Sequence, residues 1–142
     1  MLATGLIPPC IVVVRYILPA IRAQIARELV NKYGLMRSEA AKKMGVTPAA
    51  VTQYLEGLRG DIASSMVESS EEVIDAVFQI AENLVKNEAS ICEVLDEMCK
   101  ACRAIKSSGL LCEMHKETLP ALKGREACER PDHLCPSLRA NP

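Results

Sequence analysis

The sequence contains very few aromatic residues. They make up 3% of its 142 residues, with three Tyr, one Phe and no Trp. Proteins that bind RNA or single-stranded DNA stack the bases on exposed aromatic rings. The scarcity of rings therefore argues against a surface of that kind.

A membrane-length apolar run is also missing. The segment 6–20 is mostly apolar, but Arg15 lies within it and three prolines interrupt it, Pro8, Pro9 and Pro19. A transmembrane helix needs about 20 consecutive apolar residues, and a signal peptide begins with a basic region that is not seen here. We therefore expect 6–20 to form a buried helix or a dimer contact, and the protein to be cytoplasmic with no membrane partner.

The common enzyme motifs are absent as well. The chain has no phosphate-binding Gly-rich loop, no GxSxG and no HExxH. We interpret the acidic pairs at 71–72 and 96–97 as solvent-exposed faces of helices and not as catalytic carboxylates. We therefore expect that the protein is not an enzyme.

The charge of the chain is divided unevenly. The net charge is −1, yet residues 1–60 carry eight Lys or Arg against three acidic residues, a net charge of +5. The remaining residues carry nine bases and fifteen acids, a net charge of −6. The basic half is suited to a polyanion and the acidic half is not.

The apolar residues recur with helical spacing, and no segment shows a sustained strand alternation. The sequence therefore predicts an all-α fold, with helices over 18–32, 37–44, 48–57, 71–86, 90–105 and 110–122. Pro19 is expected in the first turn of the first helix, where proline is tolerated. Because 64–70 is small and polar with no apolar period, we predict two domains, 1–62 and 63–142.

Residues 37–55 have the pattern of a helix-turn-helix. Ala41 is small enough for two helices to cross closely, and Gly45 can adopt the positive φ of the turn between them. Thr47 is a good N-cap for the second helix, and Pro48 suits its first position. The alternative is an αα-hairpin in an ordinary helical bundle.

The outward face of the second helix suits the major groove of double-stranded DNA. Gln can pair with adenine, while Ala and the Thr methyl can contact thymine. Basic residues, hydroxyls and helix-start amides can hold phosphates. The candidate DNA-binding residues are Arg37, Ser38, Lys42, Thr47, Ala49, Thr52, Gln53 and Arg59.

Three phrases in the basic half resemble one known family. They are LPAIR at 18–22, AREL at 26–29 and VTQYLEGLRG at 51–60. They are similar to the lambda-repressor-like (XRE-type) helix-turn-helix domains of archaeal transcriptional regulators. The resemblance extends to a cysteine-rich C-terminal part built around a CxxC. It implies a repressor or activator that binds DNA as a homodimer.

Six of the seven cysteines lie between Cys92 and Cys135, and an odd, uneven set of this kind is not a secreted disulfide framework. Cys99, Cys102 and Cys112 form a CxxC followed by a third cysteine, with ligand types that suit zinc or an iron–sulfur cluster such as 4Fe-4S. We predict these three as metal ligands. For the fourth ligand we rank Cys135 first, followed by Cys128, His115 and Cys92.

Other interpretations of the cysteines stay open. A free cysteine is often a small buried apolar residue, and we assign Cys10 and Cys92 to that role. A redox-active CxxC is less favoured, because such motifs lie at a helix start in a βαβ unit. As a whole, the sequence predicts a DNA-binding regulator with an iron–sulfur cluster for sensing or a structural zinc. The alternative function is a small metal-dependent thiol protein that does not bind DNA.

Overall fold

The computed structural model describes residues 9–87, 89–119 and 124. Of these residues 78% are helical and none lies in a strand, which confirms the all-α fold. Within these ranges, every helix is too short or too polar to cross a membrane.

The first helix, α1, occupies residues 9–32 without a break. It consists of Pro9–Val12, Val13–Ile17, Leu18–Arg27 and Glu28–Lys32, of which the second and fourth segments are π-helical. The prediction that the helix begins near Leu18 is therefore wrong, and Pro19 lies in the helix interior. Proline cannot donate a backbone hydrogen bond and its ring crowds the preceding turn. The wider π-helical turn directly before Pro19 is a known way for a helix to accommodate such an interruption.

Three short helices follow: α2 (Arg37–Met44), α3 (Pro48–Leu55) and α4 (Ser64–Glu68). The predicted bounds of α2 are confirmed, whereas α3 ends two residues earlier than predicted. The segment 64–70, which we expected to be a polar boundary, contains α4 and fully buries Val67.

Three further helices complete the described fold: α5 (Glu71–Lys86), α6 (Ile91–Ser107) and α7 (Leu110–Thr118). Ser70 caps α5, since its hydroxyl accepts a hydrogen bond from the Val73 amide at 3.4 Å. Ser90 and Glu93 form a reciprocal capping box at the start of α6, which fixes where that helix begins. The predicted end of the last helix, 120–122, lies outside the described residues.

Helix α1 lies at the centre of the packing and contacts α3, α5 and α7. Its residues Ile17, Ile21 and Leu29 are completely buried. Together with buried residues of the second half, such as Ile80 and Ile105, they form one hydrophobic core. The division into two domains at residue 62 stays a prediction.

The helical spacing of the apolar residues on α6 predicts one buried stripe, but the stripe is only partly buried. Val94 and Ile105 lie in the core. Ile91 and Leu95 belong to the same stripe by their spacing, yet they are 68% and 52% exposed. Helical periodicity identifies apolar residues without showing which of them a neighbouring element covers. Helix α6 therefore presents an apolar surface to solvent.

Candidate nucleic-acid interface and cysteine region

Local hydrogen bonds determine how α2 is joined to α3. Gly45 adopts φ +69° as predicted, and its neighbour Val46 donates its backbone N–H to the carbonyl of Ala41 at 3.0 Å. The hydroxyl of Thr47 accepts a hydrogen bond from the Ala50 amide at 3.1 Å, which confirms the predicted N-cap. Pro48 then occupies the first turn of α3. This arrangement leaves the outer side of the first turn of α3 uncovered.

Apolar residues attach α2 and α3 to the core. Ala40, Ala41 and Val51 are buried, as is the ring of Tyr54. Arg27 of α1 donates a hydrogen bond to the Tyr54 carbonyl at 3.3 Å. Helix α3 is therefore held at both ends, by the Thr47 cap and by the bond from Arg27.

The candidate DNA-binding residues lie at the surface of this pair of helices. Six are exposed, namely Arg37, Ser38, Lys42, Thr47, Ala49 and Arg59. Thr52 and Gln53 are half-buried. The guanidinium of Arg37 donates a hydrogen bond to the Thr52 hydroxyl at 3.2 Å, so the start of α2 is linked to the outer face of α3.

Arg59 is positioned by the segment that follows α3. The backbone amides of Leu58 and Arg59 both donate to the carbonyl of Gln53, at 2.9 and 3.3 Å. The guanidinium of Arg59 lies 5.9 Å from the centre of the Tyr54 ring, within the range of a cation–π contact. A basic side chain is thereby placed beside the C-terminal end of α3.

Two arginines of α1, Arg15 and Arg22, approach the same end of α3. Neither is among the candidate DNA-binding residues that the sequence predicts. Arg15 is exposed and Arg22 is half-buried. The sequence carried no signal for this proximity, because residues 15–22 and 54–60 are far apart in the chain.

The cysteines lie in different environments. Cys99 is exposed, while Cys102 and Cys112 are half-buried and pack against the core. Cys10 and Cys92, which we expected to be buried apolar residues, are both exposed, so that expectation is wrong. Each lies near the start of a helix on its outer side, where its thiol meets solvent.

The surroundings of Cys102 favour the neutral thiol. Burial raises the pKa of this group, and the neighbouring Cys99 adds to the rise, whereas Lys106, Arg103 and Arg22 oppose it. A metal ligand or a nucleophile needs the thiolate form. Metal binding by Cys102 would therefore have to release the thiol proton.

The described residues do not by themselves fit the predicted metal site. Over 9–87 and 89–119, no group of three or more Cys, His, Asp or Glu is placed to hold a metal ion. The turn after α6 thus leaves Cys112 and His115 outside any such group with Cys99 and Cys102. Cys128 and Cys135, the first two choices for a fourth ligand, lie outside the described residues.

Comparison of the chain with protein-family models, with curated proteins and with solved structures finds no match.

Proposed function

We propose that the protein is a transcriptional regulator that binds double-stranded DNA as a homodimer, with α3 as its recognition helix. The observation that carries the proposal is the outer face of α3, a capped helix whose first turn is uncovered and bordered by basic side chains. Thr47 and Ala49 are exposed there. A helix presented in this way can enter the major groove with its N-terminal turn.

The side chains on this face suit base recognition. The amide of Gln53 has the donor and acceptor geometry that pairs with adenine, and Ala49 offers a methyl group for contact with thymine. Thr52 accepts a hydrogen bond from Arg37 at 3.2 Å, which orients both side chains on the DNA-facing side. Base specificity in this proposal comes from Ala49, Thr52 and Gln53.

Basic side chains around α3 suit the phosphate backbone. Arg37 and Lys42 of α2 and Arg59 after α3 are exposed, and they belong to the half of the chain with a net charge of +5. Lys43 donates a hydrogen bond to Asn87 at 3.2 Å, which places a further cation at the end of α5. Contacts to phosphates orient a protein on the duplex and supply much of its affinity.

For the homodimer we propose that α6 packs against α6 of a second copy. Its exposed Ile91 and Leu95 provide the apolar contact. Two copies of α6 that cross in antiparallel orientation, with the two-fold axis near residue 93, would bring Ile91 of one chain against Leu95 of the other, and the contact would be the same on both chains. Self-complementarity of this kind is what a two-fold interface requires.

DNA binding is tested by titrating a fluorescent mixed-sequence duplex with the full chain at increasing salt. If four basic residues per chain contact phosphates, the dimer makes about eight phosphate contacts, and counterion release predicts about a ten-thousandfold loss of affinity between 50 and 200 mM salt. We expect two chains per bound duplex. The same titration with the same sequence as a single strand is the control and should show weaker binding. Absence of duplex binding at 50 mM salt would contradict the proposal.

The cofactor is proposed separately. We propose that Cys99, Cys102 and Cys112, with Cys135, bind an iron–sulfur cluster or zinc when the complete ligand set comes together. Bound metal would supply a cross-link between α6 and the C-terminal part of the chain. DNA recognition by α3 as described above requires no metal.

Metal analysis tests this cofactor proposal. We expect protein purified without oxygen to contain iron and sulfide, or zinc, and the double variant Cys99→Ser/Cys112→Ser to lose it. Cys10→Ser, which removes an exposed thiol far along the chain, should retain the metal. Metal-free wild-type protein, or equal metal in the double variant, would show that these cysteines do not bind the metal.

A further inference from the structure

A cavity of about 400 Å³ opens between α1, the end of α3 and the segment 58–62. Its volume falls within the range of small-molecule sites in proteins. The Tyr54 ring, 2% exposed, forms part of its wall, and Tyr16 of α1 lines another part. The cavity is built from one chain and does not depend on a dimer.

Three arginines line this cavity. Arg15 and Arg22 come from α1, and Arg59 comes from the segment after α3. No acidic side chain is among the lining residues, and within the described ranges no ion pair is formed by any of the three. The three arginines therefore lack an anionic partner in the described part of the chain, and Arg22 lies between this cavity and α6, where its charge also acts on Cys102.

The backbone around the cavity has two unusual features. Arg15 and Tyr16 belong to the π-helical segment Val13–Ile17, and π-helical turns often occur at functional sites. Gly60 packs directly on the backbone of Pro19, where a Cβ would lie 2.8 Å from the Pro19 carbonyl carbon. This close approach brings Arg59 opposite the two arginines of α1.

We propose that the cavity binds a small organic phosphate. The phosphate group would lie among the guanidinium groups of Arg15, Arg22 and Arg59, since the planar fork of arginine matches phosphate oxygens and three charges suit a dianion better than a single carboxylate. The organic part would contact the apolar rim, where Leu58 and Ile62 are 74% and 73% exposed. The site goes beyond the DNA-binding function and does not require it.

A phosphate group could also come from the backbone of DNA, because Arg59 lies beside α3. The two sources differ in one respect: a small organic phosphate binds the protein in the absence of DNA. Binding is therefore measured without DNA, by isothermal titration calorimetry of the full chain with adenosine 5′-monophosphate. Adenosine and inorganic phosphate are titrated in parallel as the two halves of the probe.

We expect adenosine 5′-monophosphate to bind, and adenosine to bind at least tenfold more weakly because it lacks the phosphate. Arg15→Gln removes one exposed guanidinium from the cavity and should weaken binding of the nucleotide by about tenfold. Arg103→Gln removes an exposed arginine from α6, outside the cavity, and should leave the binding unchanged. Circular dichroism of both variants verifies that they are folded.

Absence of nucleotide binding at millimolar concentrations would overturn the proposal, and so would an equal loss of binding in Arg15→Gln and Arg103→Gln. If the wild-type protein binds no nucleotide and Arg15→Gln weakens duplex DNA binding, these arginines contact the DNA backbone instead. If the chain binds the nucleotide but does not bind duplex DNA, the result supports this site and contradicts only the proposed regulator function.

Discussion

Replacement of Gly60 by alanine is expected to destabilise the protein by about 3 kcal/mol, because two penalties coincide at this position. Gly60 has φ +82°, a left-handed conformation that costs a residue with a Cβ roughly 1–2 kcal/mol. In addition, its Cβ would clash with the carbonyl oxygen of Pro19 and lie 2.8 Å from the carbonyl carbon. Both atoms belong to the backbone of the central helix, so neither can rotate away as a side chain could.

Gly34→Ala is the matched control variant for the loss of stability expected in Gly60→Ala. Gly34 has φ +69°, but a Cβ there would meet nothing within 4 Å. This variant should therefore incur only the conformational cost, about 1 kcal/mol. Urea denaturation followed by circular dichroism gives the free energy of unfolding of each variant. If Gly60→Ala is no less stable than Gly34→Ala, the segment 58–62 does not pack against α1 as described.

The features that the sequence predicted well are local ones. Thr47 was recognisable as a cap because an N-cap bonds to an amide only two or three residues away. The left-handed Gly34 and Gly45 were predictable for a similar reason, since a helix end within a few residues requires a positive φ. Helix ends and turns depend on short stretches of chain, and those stretches contain the necessary information.

The features that the sequence did not predict depend on contacts between distant segments. Pro19 was expected at a helix start because an interior proline is costly, and the adjoining π-helical turn could not be read from residue types. Leu95 lies on an apolar stripe, yet no described element covers it. The grouping of Arg15 and Arg22 with Arg59 requires the packing of Gly60 on Pro19, which joins segments about 40 residues apart. Only the folded arrangement reveals this cavity.

Replacement of Ala49 by glutamate is expected to weaken binding to duplex DNA by about a hundredfold, because an added negative charge would face the phosphates. Ala49 is exposed in the first turn of α3, at the surface proposed to enter the major groove. A glutamate there should not harm the fold, since an acidic side chain near a helix N-terminus interacts favourably with the helix dipole. The loss of binding should therefore occur without a loss of stability.

The matched control is Gln79→Glu, which adds the same charge at an exposed position on α5. It changes the net charge of the protein equally, but at a site that the proposed orientation keeps away from DNA. We expect its affinity for the duplex to stay within about threefold of wild type at 100 mM salt, since exposed charges more than a Debye length apart are screened. Equal losses in the two variants would show that binding depends on net charge alone, and α3 would then not be the recognition helix.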